Sequence, residues 1–206
     1  MWAHLQNWIV QDGEIPELHT GSTLHDHAVR ASCSSIRESP GPEGVTQVPR
    51  PDTSGDNAPH YELTGTVEGG EEPSSVLLRV GGFRVLAEPI SIRLVPGTSS
   101  ENYVLERFSP DFFVPAAGTR VAVVCRLEVM ADHETEDAFG VPDLRRDWVV
   151  RHLKIQHRAL VPVPGQKRAW NVDKVLRVDN VERMHRWADE KSHDPITYLL
   201  DLEPPT

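Results

Sequence analysis

Hydrophobic and polar positions alternate along most of this chain with the two-residue period of β-strands. In VLLRVGGFRVLAE (76–88) two β-rich runs flank a Gly-Gly pair, the short-range signature of a two-residue hairpin turn. That register sets Val80 against Phe83, Leu78 against Val85 and Val76 against Ala87, which makes one face wholly apolar. The other face brings Arg79 opposite Arg84, an unfavourable pair unless acids or an anionic ligand lie beside it. In GTRVAVVCRLEVM (118–130), Val121, Val123, Cys125, Leu127 and Val129 share a face, so Cys125 is expected to be a small buried hydrophobe. WVVRHLKIQHRALV (148–161) predicts a strand with Val149, Leu153, Ile155, Ala159 and Val161 inward. Trp148, His152, Lys154, Gln156 and Arg158 then form its outward stripe.

The period changes in two places. Residues 38–60 hold five prolines and three glycines with almost nothing to bury, so they read as a linker or long surface loop. Residues 1–37 are too short to own a core and are expected to dock on a main domain over 61–206. The stretch DNVERMHRWADEKSH suits a helix near 179–192, capped by Asp179 or Asn180. PITYLLDLEPP reads as a closing strand.

Five to seven short strands predict a mainly β fold, a small antiparallel barrel or a sandwich, with a late C-terminal helix. The order of strand, hairpin, insertion, G-T-x-V-x-V-x-C-x-L strand, loop and W-x-V-x-x-L-x-I strand resembles an oligonucleotide/oligosaccharide-binding (OB) barrel over residues 60–161. A double-psi barrel or a sandwich shows nearly the same pattern.

Charge adds a sidedness. Of 21 Lys and Arg in this 206-residue chain, 12 lie in residues 145–191, which hold only 6 of the 31 Asp and Glu. The chain as a whole carries −10, so a basic segment is set in an acidic protein, and a sided charge distribution faces a partner. Arg145, Arg146, Arg151, Lys154, Arg158, Lys167 and Arg168 are interleaved with Trp148 and Trp170, a mix of cations and aromatics that resembles the one that holds single strands. The overall negative charge opposes a polyanion, and internal or oligomeric neutralisation is the competing account.

Candidate chemistry is sparse. There is no G-x-S-x-G elbow, phosphate loop, H-E-x-x-H or dinucleotide motif, so no catalytic residue is nominated. His25 and His27 would share a strand face about 7 Å apart, a weak metal candidate without a third ligand. The acidic loop at 131–147 lacks the spacing of a calcium loop. Cys33 and Cys125 are too few for a disulfide framework, no apolar run reaches membrane-spanning length, and the N-terminus does not read as a signal peptide. The expectation is therefore a cytoplasmic, non-enzymatic binding protein without cofactor or metal, engaging a protein partner or itself. An OB-like single-strand nucleic-acid binder is the alternative, and an enzyme without a recognisable motif a third. The binding set comprises Trp148, His152, Lys154, Arg158, Arg145, Arg146, Trp170, Arg79 and Arg84.

Overall fold

The computed structural model describes residues 1–49, 58–71, 75–89, 92–96, 103–107, 114–132, 134, 144–162, 170–184 and 196–204. They form two compact units that do not follow chain order: Met1–Ala28 with Glu128–Thr206, and Val29–Pro49 with His60–Leu127. The first 37 residues are thus shared, cut between Ala28 and Val29 rather than added whole to one domain.

The second unit is a closed five-strand barrel. Its strands are β3 (Val29–Glu38), β5 (His60–Glu71), β6 (Ser75–Val80), β7 (Phe83–Pro89) and β10 (Arg120–Val129). Neighbours run β5–β6–β7–β3–β10, and β10 pairs back with β5 to close the ring. Contacts are antiparallel along β5–β6–β7 and at β10–β5, whereas β3 joins β7 in parallel. β4 (Gly44–Val48) adds to β5, so the proline-rich stretch expected as a linker or long surface loop carries a strand. β8 (Ile92–Pro96) and β9 (Tyr103–Arg107) form a separate hairpin.

The barrel interior follows the alternation. Val121, Val123, Cys125 and Leu127 of β10 are buried, as are Val76, Leu78 and Val80 of β6 and Val85 and Ala87 of β7. The hairpin pairs Val76 with Ala87, Leu78 with Val85 and Val80 with Phe83, as the wholly apolar face requires. Gly81 takes a φ of 57° at the turn, a left-handed conformation that costs glycine least. Gly65 has a different reason to be glycine. A Cβ there would stand 2.5 Å from the Arg79 carbonyl oxygen, so the close approach of β5 to β6 excludes any side chain.

The first unit orders β12 (Trp170–Val181), β11 (Arg146–Pro162), β13 (Ile196–Glu203) and β1 (Trp2–Gln6) side by side. β2 (Thr23–His27) also pairs with β11. A single-turn helix, α1 (Asn7–Gln11), follows β1 and buries Ile9 and Val10. With Ile15, Leu18 and Leu24 these residues give the N-terminal piece the burial its apolar content called for.

Two expectations fail here. No helix starts at Asp179, because Asp179, Asn180 and Val181 complete β12 opposite Ile155, Lys154 and Leu153. Beyond them Arg183 bridges to His19, and the Met184 amide donates to the Leu18 carbonyl at 2.7 Å. The strand pairing satisfies the backbone groups that a helix would have used, and a plausible cap does not outweigh it. The remainder of the expected helix, 185–192, lies outside the described residues. The second failure is the inward and outward assignment of β11. Trp148 is fully buried, and Val150 with it, whereas Val149 is half-exposed. Between Val150 and His152 the register against β13 slips by one, leaving Arg151 as a bulge. One extra residue reverses the parity, so alternation counted back from His152 puts the wrong residues inside.

Candidate functional site

The exposed face of the first unit is assembled by cross-strand register. Trp2 of β1 pairs with Asp201 of β13, and Asp201 in turn pairs with His152 of β11, so three side chains distant in sequence form one row. Residues directly opposite on neighbouring strands share a face and touch. The Trp2 and His152 rings lie with centroids 6.3 Å apart, tilted by 31°. The Lys154 ammonium stands 4.2 Å from the centre of the Trp2 ring, a cation–π contact. Among the described residues no carboxylate lies within ion-pairing distance of Lys154.

Asp201 organises the row. Its Oδ2 is 3.0 Å from Nδ1 of His152, and its Oδ1 accepts from the Met1 ammonium at 3.0 Å. Partial burial alone would raise its carboxyl. The hydrogen bonds from His152 and the Met1 ammonium outweigh that and hold it below the usual carboxylate range. Beside the row opens a cleft of about 620 Å³. Its lining comprises Trp2 and Thr20, His152, Leu153 and Lys154 of β11, and Asn180, Val181 and Glu182 from β12 and just beyond it. The Thr20 amide donates to the Glu182 carbonyl at 2.9 Å, which ties these two residues together. Two positions before Asn180, Val178 is 39% exposed, and Leu176 is 58% exposed. Leu176 sits where the pairing steps from His157–Arg177 to Arg158–Val175, so it has no partner position on β11.

Most of the other nominated residues are engaged elsewhere. Arg145 ion-pairs with Asp26 and Asp132, both at 3.5 Å, and Arg146 lies 5.1 Å over the buried Trp148 ring. The Trp148 indole donates to the His27 carbonyl at 2.9 Å. It is therefore a core anchor and does not belong to the outward stripe. Arg158 is half-buried opposite Val175, and Gln156, also expected outward, is fully buried with neither amide atom hydrogen-bonded. Trp170 opens β12 opposite Pro162. Arg79 and Arg84 face each other as expected, but Glu68 lies 3.2 Å from the first and 2.5 Å from the second, and Glu43 is 3.2 Å from Arg79. Own acids therefore occupy the positions an anion would take. Glu43 itself is held below the usual carboxylate range, first by the Thr66 hydroxyl and then by the Gly81 amide, Arg79 and Arg120.

His25 and His27 do not share a face. Asp26 between them has a φ of 55°, a left-handed residue that breaks the alternation. His25 is 73% exposed and 3.1 Å from Asp147, whereas His27 is buried with Nδ1 2.6 Å from the His25 carbonyl. Among the described residues no group of three or more His, Cys, Asp or Glu is placed to hold a metal ion. Nor is any described helix long and apolar enough to cross a membrane.

Sequence reasoning placed Trp2 only among the docking apolar residues and did not single out Asn180 or Glu182 as part of a site. No local signal marks them, since Trp2 meets His152 only through strands about 150 residues apart in the chain. No family model, no curated protein and no solved structure matches this chain.

Proposed function

We propose that this protein is a non-enzymatic interaction protein whose recognition surface is the Trp2–His152–Lys154 cleft with the adjoining Val178 and Leu176. Its partner is another protein or a second copy of the chain. The observation that carries this reading is the meeting, at one cleft, of an aromatic ring and an ammonium group that has no carboxylate partner among the described residues, with Val178 and Leu176 exposed further along the strand that supplies Asn180. Aromatic anchors flanked by polar groups are the composition of binding hot spots.

The pairing of the basic segment supports this choice. Among the described residues Arg145, Arg151, Arg177 and Arg183 each contact a carboxylate of the same chain, which weakens the hold of these four on a phosphate backbone. One observation does favour the alternative of an OB-like single-strand binder. The barrel order β5–β6–β7–β3–β10, with its single parallel contact, resembles an OB ring whose last strand comes first in the chain. In OB barrels the second and third strands carry much of the binding face. Here those are β6 and β7, where Glu68 and Glu43 cover Arg79 and Arg84.

A photo-crosslinking side chain at Asn180, used in cells and in purified protein, tests the proposal. A protein adduct or a cross-linked dimer is expected, lost when Trp2→Ala and Lys154→Glu are combined while the circular dichroism spectrum is retained. Absence of any protein adduct, together with a salt-sensitive shift of a labelled single-stranded oligonucleotide, would replace it with the nucleic-acid reading.

A further inference from the structure

The barrel interior carries a second chemistry, independent of the cleft. Cys33 on β3 and Cys125 on β10 are free thiols, both buried. The hydrogen bonds between the two strands fix how these residues meet. Past one end, the Met130 amide donates to the Ala28 carbonyl at 3.0 Å, and past the other the Ser39 amide donates to the Arg120 carbonyl at 3.0 Å. Between them the Ser34 hydroxyl donates to the Val124 carbonyl at 3.2 Å. The strands therefore run antiparallel. Ala28–Met130 and Ser34–Val124 share one register, which sets Cys33 opposite Cys125, and the Ser39–Arg120 bond lies one residue out of it because the inward parity of β3 reverses between Cys33 and Ile36. Counted from the bonded Ala28–Met130 pair, this position is an odd number of steps away, which makes it a non-hydrogen-bonded site. Such sites bring opposite Cα atoms to about 4.5 Å with side chains on one face in contact. That separation lies within the range of about 4.4–6.8 Å that a disulfide spans without moving the backbone.

We propose that Cys33 and Cys125 form a redox pair that closes to a disulfide across β3 and β10 inside the barrel. The oxidant would be a small-molecule disulfide of the glutathione class. One cysteine, as thiolate, attacks a sulfur of that disulfide and expels one glutathione thiolate. The second cysteine then gives up its proton and attacks the resulting mixed disulfide, expelling the other. The protein loses two hydrogens, and the oxidant leaves as two thiols.

Two features set the rate. The Cys33 thiol donates to the Ala31 carbonyl at 3.2 Å and lies in hydrogen-bonding contact with Cys125. Burial, reinforced by Cys125, pushes its pKa well above the usual thiol range. The folded barrel therefore oxidises slowly, and the bond closes during folding or local opening, when thiolate and oxidant meet. Once closed it encloses the β4 strand and the β5–β6–β7 meander, a long loop whose constraint in the unfolded chain stabilises strongly.

The test is to refold the intact chain in a glutathione redox buffer and, in parallel, under reductant. Expected from the oxidised sample is a monomer lighter by two hydrogens, with no thiol titratable in denaturant. Its unfolding midpoint should lie higher by on the order of 5–10 °C, reversed by reductant. Cys33→Ala and Cys125→Ala should each keep one titratable thiol or carry one glutathione. An oxidised wild-type monomer that retains two thiols, or yields only glutathione adducts or intermolecular dimers, overturns the proposal. The wild-type mass decides this even where the variants fold poorly.

Discussion

Trp148 shows how much one residue's environment can differ from its sequence context. It stands in a basic, polar run, yet it is fully buried and hydrogen-bonded to the His27 carbonyl. Trp148→Ala should therefore cost about 3–5 kcal/mol in denaturant unfolding, by cavity formation and an unpaired carbonyl. A cost under about 1 kcal/mol would show that the indole is not part of the core. Asp201 gives a prediction in pH. Its carboxyl is held below its ordinary value, so its contribution to stability is present above the unfolded-state pKa of about 4 and lost as pH falls through the folded one. The stability gap between wild type and Asp201→Asn should stay constant near neutral pH and close in acid. A gap that does not change with pH would remove the His152–Asp201 link from the account.

At the scale of the element, side-chain direction depends on defects in the alternation. The Arg151 bulge in β11 and the left-handed Asp26 in β2 each reverse a parity, which buries Trp148 and separates His25 from His27. β10 has no such irregularity over its barrel residues, and its inward set is the one the pattern predicted. Val123→Asp should thus abolish cooperative unfolding, because a carboxylate would be buried without a partner. Gly65→Ala, by contrast, tests the backbone approach of β5 to β6. The expected loss is about 1–3 kcal/mol by thermal or chemical denaturation, and a neutral result would mean that the barrel yields there at no cost.

For the whole molecule, the net charge of −10 coexists with a basic segment of which Arg145, Arg151, Arg177 and Arg183 contact the chain's own acids. Lys154→Glu should change stability by less than about 0.5 kcal/mol, since it removes a cation–π contact at a solvent-facing cleft and no ion pair. Sedimentation velocity or partner capture should nonetheless register the change if the cleft is the recognition surface. Unfolding on Lys154→Glu would show the cleft wall to be core.

The β class, the 76–87 hairpin with its register and the inward face of β10 were legible in the sequence. They depend on local periodicity and on a turn whose residues dictate its geometry. The OB-like strand run was read over 60–161, but the ring takes β3 from before residue 60 and does not include β11. The candidate cleft was legible in part: His152 is exposed and Lys154 half-exposed, while their companions Trp2, Asp201 and Asn180 arrive from other strands. Periodicity fixes which residues of a strand face together. Only long-range pairing fixes which strands meet, and a single bulge, invisible to local patterning, decides which of two faces is the core.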